Sequence, residues 1–259
     1  MGQSRYERLP KTQNWQNVVA LLATPHASVS EIASETAKAC RGALKRHSDD
    51  PVLVASVFLL ARLPLAARKG EAGRFLQECG LDAKSLSSLL SLLDESARYF
   101  RFLNLKNPDP SFVTEISELS FEETLSKLAS ESNLSLFADS AGQVELAFAS
   151  FGTARGFARI ARIYFTTFMS RVLTYFLSME TVNSIGAHER FESVDHLQQF
   201  AGQLRRYCWE SSKIIDSFAE EWYSKYRWQE RLDREHVATF VWAVLRKFSS
   251  EIGRENIGQ

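Results

Sequence analysis

The sequence of 259 residues has few cysteines and no excess of either charge. Its three cysteines, Cys40, Cys79 and Cys208, are far apart and form no CxxC pair, so a disulfide framework is not predicted and the reducing cytoplasm is the expected location. The 31 basic and 31 acidic residues balance, which excludes a general affinity for nucleic acid and leaves room only for a local patch. The first fifteen residues contain no apolar segment typical of a signal peptide.

Signatures of the common enzyme classes are also missing. The sequence contains no GxxxxGK[ST], no GxGxxG after a strand, no GxSxG, and no cysteine and histidine set with recognisable spacing. A pair of catalytic carboxylates leaves no such signature, so these absences lower the expectation of an enzyme without excluding one. We expect a non-catalytic protein that uses no cofactor.

Long hydrophobic runs are absent as well. The nearest approach to a membrane span is Ile163 to Met179, which is interrupted at its centre by Arg171. An arginine in the middle of a bilayer costs about 2.5–3.5 kcal/mol on insertion scales, and the threonines and serines of this run reduce its hydrophobicity further. The run therefore indicates a buried core helix rather than a membrane span.

What the sequence has is a succession of helix signals, which predicts an all-α, multi-helix bundle. Ser28 with Glu31 has the spacing of a capping box, and Asp50 before Pro51 is typical of a helix start. Pro64 is expected to bend or end the helix that follows. Further helices are predicted over residues 71–79, 83–103 and 154–182, over about 195–222, and over about 234–252. Ser120 with Glu123 predicts a second capping box and a helix start.

We predict three parts in the chain. The segment NLKNPDP at residues 104–110 resists a continuous helix and separates an N-terminal helical domain (1–105) from the rest. Residues 106–150 are interpreted as a linker with short helices. Within them, the apolar runs of 134–148 on either side of residues 139–142 predict one short β-hairpin, although the second run is equally consistent with a helix. Residues 151–259 form a C-terminal bundle around a central apolar helix.

The segment between Glu145 and Glu180 contains four arginines and no acidic residue. On a helix, Arg155, Arg159 and Arg162 share one face, opposite a stripe of large apolar side chains. Their positive charge must be neutralised by carboxylates elsewhere in the fold or by a bound anion, or it must be solvated by water. The first possibility predicts interhelical ion pairs, and the last predicts a phosphate or nucleic-acid site near a helix N-terminus.

Aromatic residues are concentrated at residues 148–248, which hold twenty of the thirty. Trp209 and Trp242 each point away from the apolar stripe of their own helix, so they pack against a second layer of the protein or form a patch for a partner. Trp228 lies in the segment EEWYSKYRWQER (220–231), which either stacks bases and holds phosphates or forms the end of a helix. Arg205 and Arg206 are further cations near Trp209.

A weak metal candidate is formed by His188, Glu192 and His196. On one continuous helix these residues would share a face at i, i+4 and i+8. However, HERFE is not HExxH, and Ser193 has the character of a helix cap that would interrupt such a helix. The sequence therefore predicts no metal site.

These observations favour a non-catalytic, cytoplasmic interaction protein that works as one component of a larger assembly. An accessory subunit of a bacterial defence system fits this class, although no particular residue points to it. A protein partner is expected at the C-terminal surface formed by Arg155, Arg159, Arg162, Arg205, Arg206, Trp209, Trp228 and Trp242. The alternatives are nucleic-acid or phosphate binding by the same arginines, and a membrane-surface protein that exposes its aromatic central helix. Homo-oligomers are compatible with each.

Overall fold

The computed structural model describes residues 12–24, 26–134, 141–181 and 190–254. Within these ranges the chain forms eleven α-helices, a 3₁₀ turn at Ala83–Ser87 and no β-strand, which confirms the predicted all-α fold. The helices are α1 (Gln13–Leu22), α2 (Val29–Arg46), α3 (Pro51–Arg68), α4 (Ala72–Glu78), α5 (Leu89–Lys106), α6 (Phe112–Glu131), α7 (Ala141–Ala149), α8 (Ala154–Thr181), α9 (Val194–Ser211), α10 (Lys213–Trp228) and α11 (Arg234–Ile252).

Several helix starts follow from side chains that cap the free backbone N–H groups of the first turn. The Ser28 hydroxyl accepts a hydrogen bond from the Glu31 N–H, and the Glu31 carboxylate accepts one from the Ser28 N–H, so the predicted capping box is formed. Asp50 caps α3 by accepting from the N–H groups of Val52 and Leu53. Such caps each stabilise a helix by roughly 0.5–2 kcal/mol, and they depend on local sequence alone.

The helix predicted to bend or end at Pro64 does not end there, and one predicted helix start is wrong. Pro64 lies inside α3, which continues to Arg68, because α3 is buried along most of its length and this packing outweighs the backbone hydrogen bond that proline removes. Ser120 does not start a helix, since α6 begins after the N-cap residue Ser111. Instead, the buried Ser120 hydroxyl donates to the Ile116 carbonyl one turn earlier, which is the other way a serine is satisfied in a helix.

Three predicted elements are divided differently. The helix predicted over 195–222 is two helices, α9 and α10, which meet at Ser212. The helix predicted over 83–103 is a 3₁₀ turn followed by α5. The second run of the predicted β-hairpin is helix α7, so this part of the hairpin prediction is wrong, and residues 135–140 lie outside the described residues.

The central helix of the protein is α8, as the apolar segment predicted. Tyr164, Phe165 and Phe168 are fully buried in its middle, and α6, α9, α10, α2 and α3 all pack against it. Ion pairs show how α6 and α10 run relative to α8. Along each of these two helices, later residues pair with earlier residues of α8, so both run antiparallel to it; the pairs are Glu123–Arg171 and Glu131–Arg159 for α6, and Asp216–Arg162 and Glu220–Arg155 for α10. A solvent-facing surface of α8 is left between α6 and α9.

The break predicted near residue 105 corresponds to the segment 107–111 between α5 and α6. The buried Asp50 carboxylate joins the two sides of this break, because it accepts hydrogen bonds from Asn107 at 3.5 Å and from the Thr114 hydroxyl at 2.7 Å. Buried apolar residues of the N-terminal and C-terminal helices belong to one hydrophobic cluster. The division into separate domains stays a prediction.

Among the described residues, one helix passes the length and hydropathy criteria for a membrane span. This helix is α3, rather than the run Ile163 to Met179, and 67% of it is buried inside the fold. Core helices of soluble proteins have the same profile, so this finding is weak evidence for a membrane span.

Candidate functional site

The arginine face of α8 is paired with carboxylates on neighbouring helices. The pairs are Arg155 with Glu220 at 3.6 Å, Arg159 with Glu131 at 2.9 Å, and Arg162 with Asp216 at 2.7 Å. Arg155 and Arg159 are largely exposed, and exposed ion pairs contribute at most about 1 kcal/mol each. This geometry corresponds to the ion-pair interpretation of the face, while its use as an anion site stays a prediction.

Arg162 has a further role at the junction of α9 and α10. Its guanidinium donates to the Ser212 hydroxyl at 3.0 Å and to the Trp209 carbonyl at 3.2 Å, in addition to Asp216. It also lies 4.2 Å from the centre of the Trp209 ring. Because the last carbonyls of a helix lack partners and carry partial negative charge, a cation there stabilises the end of α9.

A groove lies between α6 and α9, with α8 as its floor. We call it the α6–α9 groove. Its larger part has a volume of about 720 Å³. The lining residues are Ser111, Phe112, Glu115, Ile116, Leu119 and Glu123 from α6 and its cap, Ser170, Arg171, Thr174, Tyr175 and Ser178 from α8, and Ala201, Gly202 and Arg205 from α9. The α6 side thus combines three apolar residues with Ser111, Glu115 and Glu123, and the floor is rich in hydroxyl groups.

A smaller pocket of about 340 Å³ continues the groove toward the N-terminal half of α8. Gly202 and Arg205 line both parts, so the two are adjacent. We call this part the basic pocket. Its lining residues are Lys127, Ile163, Thr166, Thr167, Gly202, Arg205, Arg206 and Trp209. The set contains three cations and no carboxylate.

Glu123 connects the three helices around the groove. Its carboxylate accepts hydrogen bonds from Arg171 on α8, at 2.9 Å, and from Arg205 on α9. Burial alone would raise the pKa of Glu123, but the hydrogen bonds and positive charges of the two arginines outweigh burial and hold this pKa below its usual value. The carboxylate therefore stays ionised and bridges α6 to both α8 and α9.

Replacing Glu123 with glutamine is expected to lower the free energy of unfolding by about 1–2 kcal/mol at neutral pH, because two charge-assisted hydrogen bonds are lost. A lowered carboxyl pKa stabilises the folded state above the usual value of 4.5, and this contribution disappears as the pH falls below it. Urea unfolding of wild type and Glu123→Gln at pH 7 and at pH 3 measures both effects. A difference that is equally large at pH 3 would contradict this assignment.

The groove offers binding groups rather than an evident catalytic set. Among the described residues, no histidine or cysteine lines either part of it. The Ser170 and Ser178 hydroxyls donate to backbone carbonyls of their own helix. Cys208 lies on the buried face of α9, and burial raises its pKa to about 12, so this thiol is a small apolar core group.

The structure brings some of the predicted site residues together and separates others. Arg205, Arg206 and Trp209 share the basic pocket, with Arg162 stacked on Trp209. Trp228 is 85% exposed at the end of α10, and Trp242 is half-buried on α11. Neither of these two tryptophans lines the groove.

The weak metal candidate is not assembled in the part of the chain that the structure describes. His188 lies outside the described residues, and Ser193 is the N-cap of α9, so Glu192 precedes the helix that contains His196. Within the described ranges, no group of three histidine, cysteine or acidic side chains is placed to hold a metal ion.

Lys127, Glu123, Thr166 and Gly202 are groove residues that sequence reasoning did not select. The sequence does contain a signal at Gly202, because a glycine within a helical pattern lowers the stability of the helix and therefore often has a packing or functional role. No local sequence pattern marks Lys127 or Glu123 as groove residues, since α6 and α9 are far apart in sequence. Their role depends on both helices packing on α8.

The groove and the basic pocket are the features from which a function can be inferred. They place cations, hydroxyl groups and an apolar wall around one open surface of the central helix. Comparison of this chain with protein-family models, with curated proteins and with solved structures finds no match.

Proposed function

We propose that the protein is a non-catalytic helical interaction protein that binds one amphipathic helix of a protein partner in the α6–α9 groove, as a component of a larger cytoplasmic assembly. The observation that carries this proposal is Gly202. This glycine lies in the interior of α9, lines both parts of the groove, and has nothing within 4 Å of the position where a Cβ would lie. Glycine destabilises a helix relative to alanine, and a small residue at this position keeps the groove open.

The dimensions of the groove support a helical occupant. Its floor extends along α8 from Ile163 to Ser178, which is about 22 Å at the rise of an α-helix. A helix of about fifteen residues has this length. Binding of an amphipathic helix between two others is a common mode of recognition, in which apolar side chains at helical spacing enter the groove.

The chemistry of the groove favours a bound segment that is apolar at one end and acidic at the other. Ile116 and Leu119 form an apolar wall near one end, and Leu119 is 38% exposed. The basic pocket with Arg206 lies at the other end. Arg171 adds a positive charge at the middle, where its guanidinium lines the groove and pairs with Glu123. An acidic, amphipathic segment complements this arrangement.

Site-specific photocrosslinking in the native cell tests the proposal. A photoreactive amino acid at Leu119 is expected to form a crosslink to a partner segment of amphipathic helical sequence. The matched control is Leu90 on α5, which is 51% exposed but lines neither part of the groove. Mass spectrometry identifies the crosslinked segment. Equal labelling of the same segment from both positions would contradict binding in the groove.

Gly202 provides the second arm of the experiment. The Cβ of Gly202→Leu meets no atom of the fold within 4 Å, and the rest of the side chain takes up space in the groove. This variant is expected to abolish the Leu119 crosslink while thermal unfolding stays at the wild-type temperature or above it. Gly202→Ala leaves most of the space and is expected to raise the free energy of unfolding by about 0.5–1 kcal/mol with the crosslink retained. A crosslink that survives Gly202→Leu would mean that the groove is not the binding surface.

A further inference from the structure

We propose that the basic pocket binds a phosphate group carried by a small molecule. This inference goes beyond binding of a protein partner and is tested on the protein alone, because a phosphate in the basic pocket competes with the acidic end of a partner helix. The pocket is lined by Lys127, Arg205 and Arg206, with no carboxylate among its lining residues. Three cations that converge on one cavity repel each other unless an anion neutralises them.

The positive charges of the pocket are only partly neutralised by neighbouring carboxylates. Among the described residues, neither Arg206 nor Lys127 has a carboxylate partner, although Lys127 lies 5.0 Å from the centre of the Trp209 ring. Arg205 is paired with Glu123, but Glu123 also neutralises Arg171. One carboxylate therefore serves two arginines, and the pocket keeps a positive charge.

A buried hydroxyl group at the pocket is the second, independent observation. Thr166 lines the pocket and is 4% exposed, yet its Oγ1 has no hydrogen-bond partner among the described residues. Buried polar groups are usually hydrogen-bonded, and of the seven buried side-chain atoms without a partner in the described residues, Thr166 Oγ1 is the one that lines the basic pocket. Thr166 thus brings a donor without an acceptor to the pocket lining, and we expect it to donate to an anion oxygen bound there.

The combination of donors favours phosphate over a carboxylate. A phosphate monoester has three terminal oxygens and carries up to two negative charges, whereas a carboxylate has two oxygens and one charge. Two guanidinium groups, an ammonium group and a hydroxyl group together offer more donors than the two oxygens of a carboxylate can use, and a guanidinium binds phosphate with two parallel hydrogen bonds. The volume of the pocket, about 340 Å³, suits a single phosphate group rather than a strand of nucleic acid.

Binding of inorganic phosphate, measured by calorimetry and by ³¹P line broadening at constant ionic strength, tests the proposal. Wild type is expected to bind one phosphate saturably at millimolar concentration or below. Arg206→Ala is expected to weaken binding about tenfold, as loss of one charge-assisted hydrogen bond requires. Thr166→Val has nearly the same shape without the hydroxyl and is expected to weaken it several-fold. Arg246→Ala, an exposed arginine on α11, is the matched control and leaves binding unchanged.

A second titration with adenosine monophosphate distinguishes the sources of the phosphate. Tighter binding of the nucleotide than of inorganic phosphate means that the ligand carries a base and a sugar, and equal binding means that the phosphate alone is recognised. Circular dichroism confirms that each variant is folded, and Arg206→Gln replaces Arg206→Ala if the latter is not. The proposal is overturned if wild type binds neither probe saturably, or if Arg206→Ala and Thr166→Val bind phosphate as wild type does.

Discussion

Replacing Gly156 with alanine is expected to lower the free energy of unfolding by about 3 kcal/mol or more, because the added methyl group collides with backbone. A Cβ on Gly156 would lie 2.2 Å from the carbonyl oxygen of Phe151 and 2.6 Å from its carbonyl carbon. These atoms belong to the turn that leads from α7 into α8, so they cannot move aside as the end of a flexible side chain does. Shifting the turn would disturb the start of the central helix.

The measurement is urea unfolding followed by circular dichroism. Gly202→Ala is the matched control, since it makes the same substitution in a helix where the Cβ meets nothing within 4 Å. The two variants are expected to change stability in opposite directions. If Gly156→Ala were as stable as wild type, the close approach of Phe151 and Gly156 would not exist in solution.

Replacing Arg162 with alanine is expected to lower the free energy of unfolding by about 3 kcal/mol, because three hydrogen bonds from one charged group are lost together. The variant also leaves the Trp209 carbonyl, the Ser212 hydroxyl and the Asp216 carboxylate without this donor. The side chain of Arg162 is 17% exposed, so water replaces these contacts incompletely. The effect should be largest at the junction of α9 and α10.

Arg159→Ala is the control for this prediction. Arg159 lies on the same face of α8 and pairs with Glu131, but its side chain is 59% exposed. Its loss is expected to change stability by less than about 1 kcal/mol, as is usual for exposed ion pairs. Chemical denaturation of both variants measures the difference. Equal losses for Arg159→Ala and Arg162→Ala would show that the contacts of Arg162 with α9 and α10 contribute little.

The different contacts of Arg159 and Arg162 decide which residues are suitable for testing a binding surface by mutation. Charge reversal of Arg162 breaks the contact between α8, α9 and α10, so a partner lost in that variant does not identify a binding surface. Arg206 is exposed and has no carboxylate partner among the described residues, which makes it the better probe of binding. Gly202 offers a second probe that adds a side chain instead of removing one.

The all-α fold could be predicted from the sequence, because its signals are local. The capping box at Ser28 and the proline after Asp50 act within one turn of helix, and the period of apolar residues identifies the buried face of α8. The predicted limits of the central helix, 154–182, agree with α8 at Ala154–Thr181. The same reasoning misassigned Ser120, because a serine three residues before a glutamate is also compatible with the interior of a helix.

By itself, the sequence determined that the chain is helical, which helix is central, and that the arginines of α8 need a counter-charge, since these follow from local hydrogen bonding and helical periodicity. Only the tertiary structure decided where that charge comes from. Arg162 meets Asp216 across 54 residues, and Arg171 and Arg205 meet at Glu123. The groove itself exists because α6 and α9 both pack on α8 and leave part of it open, and such an arrangement depends on contacts between distant segments that no local pattern records.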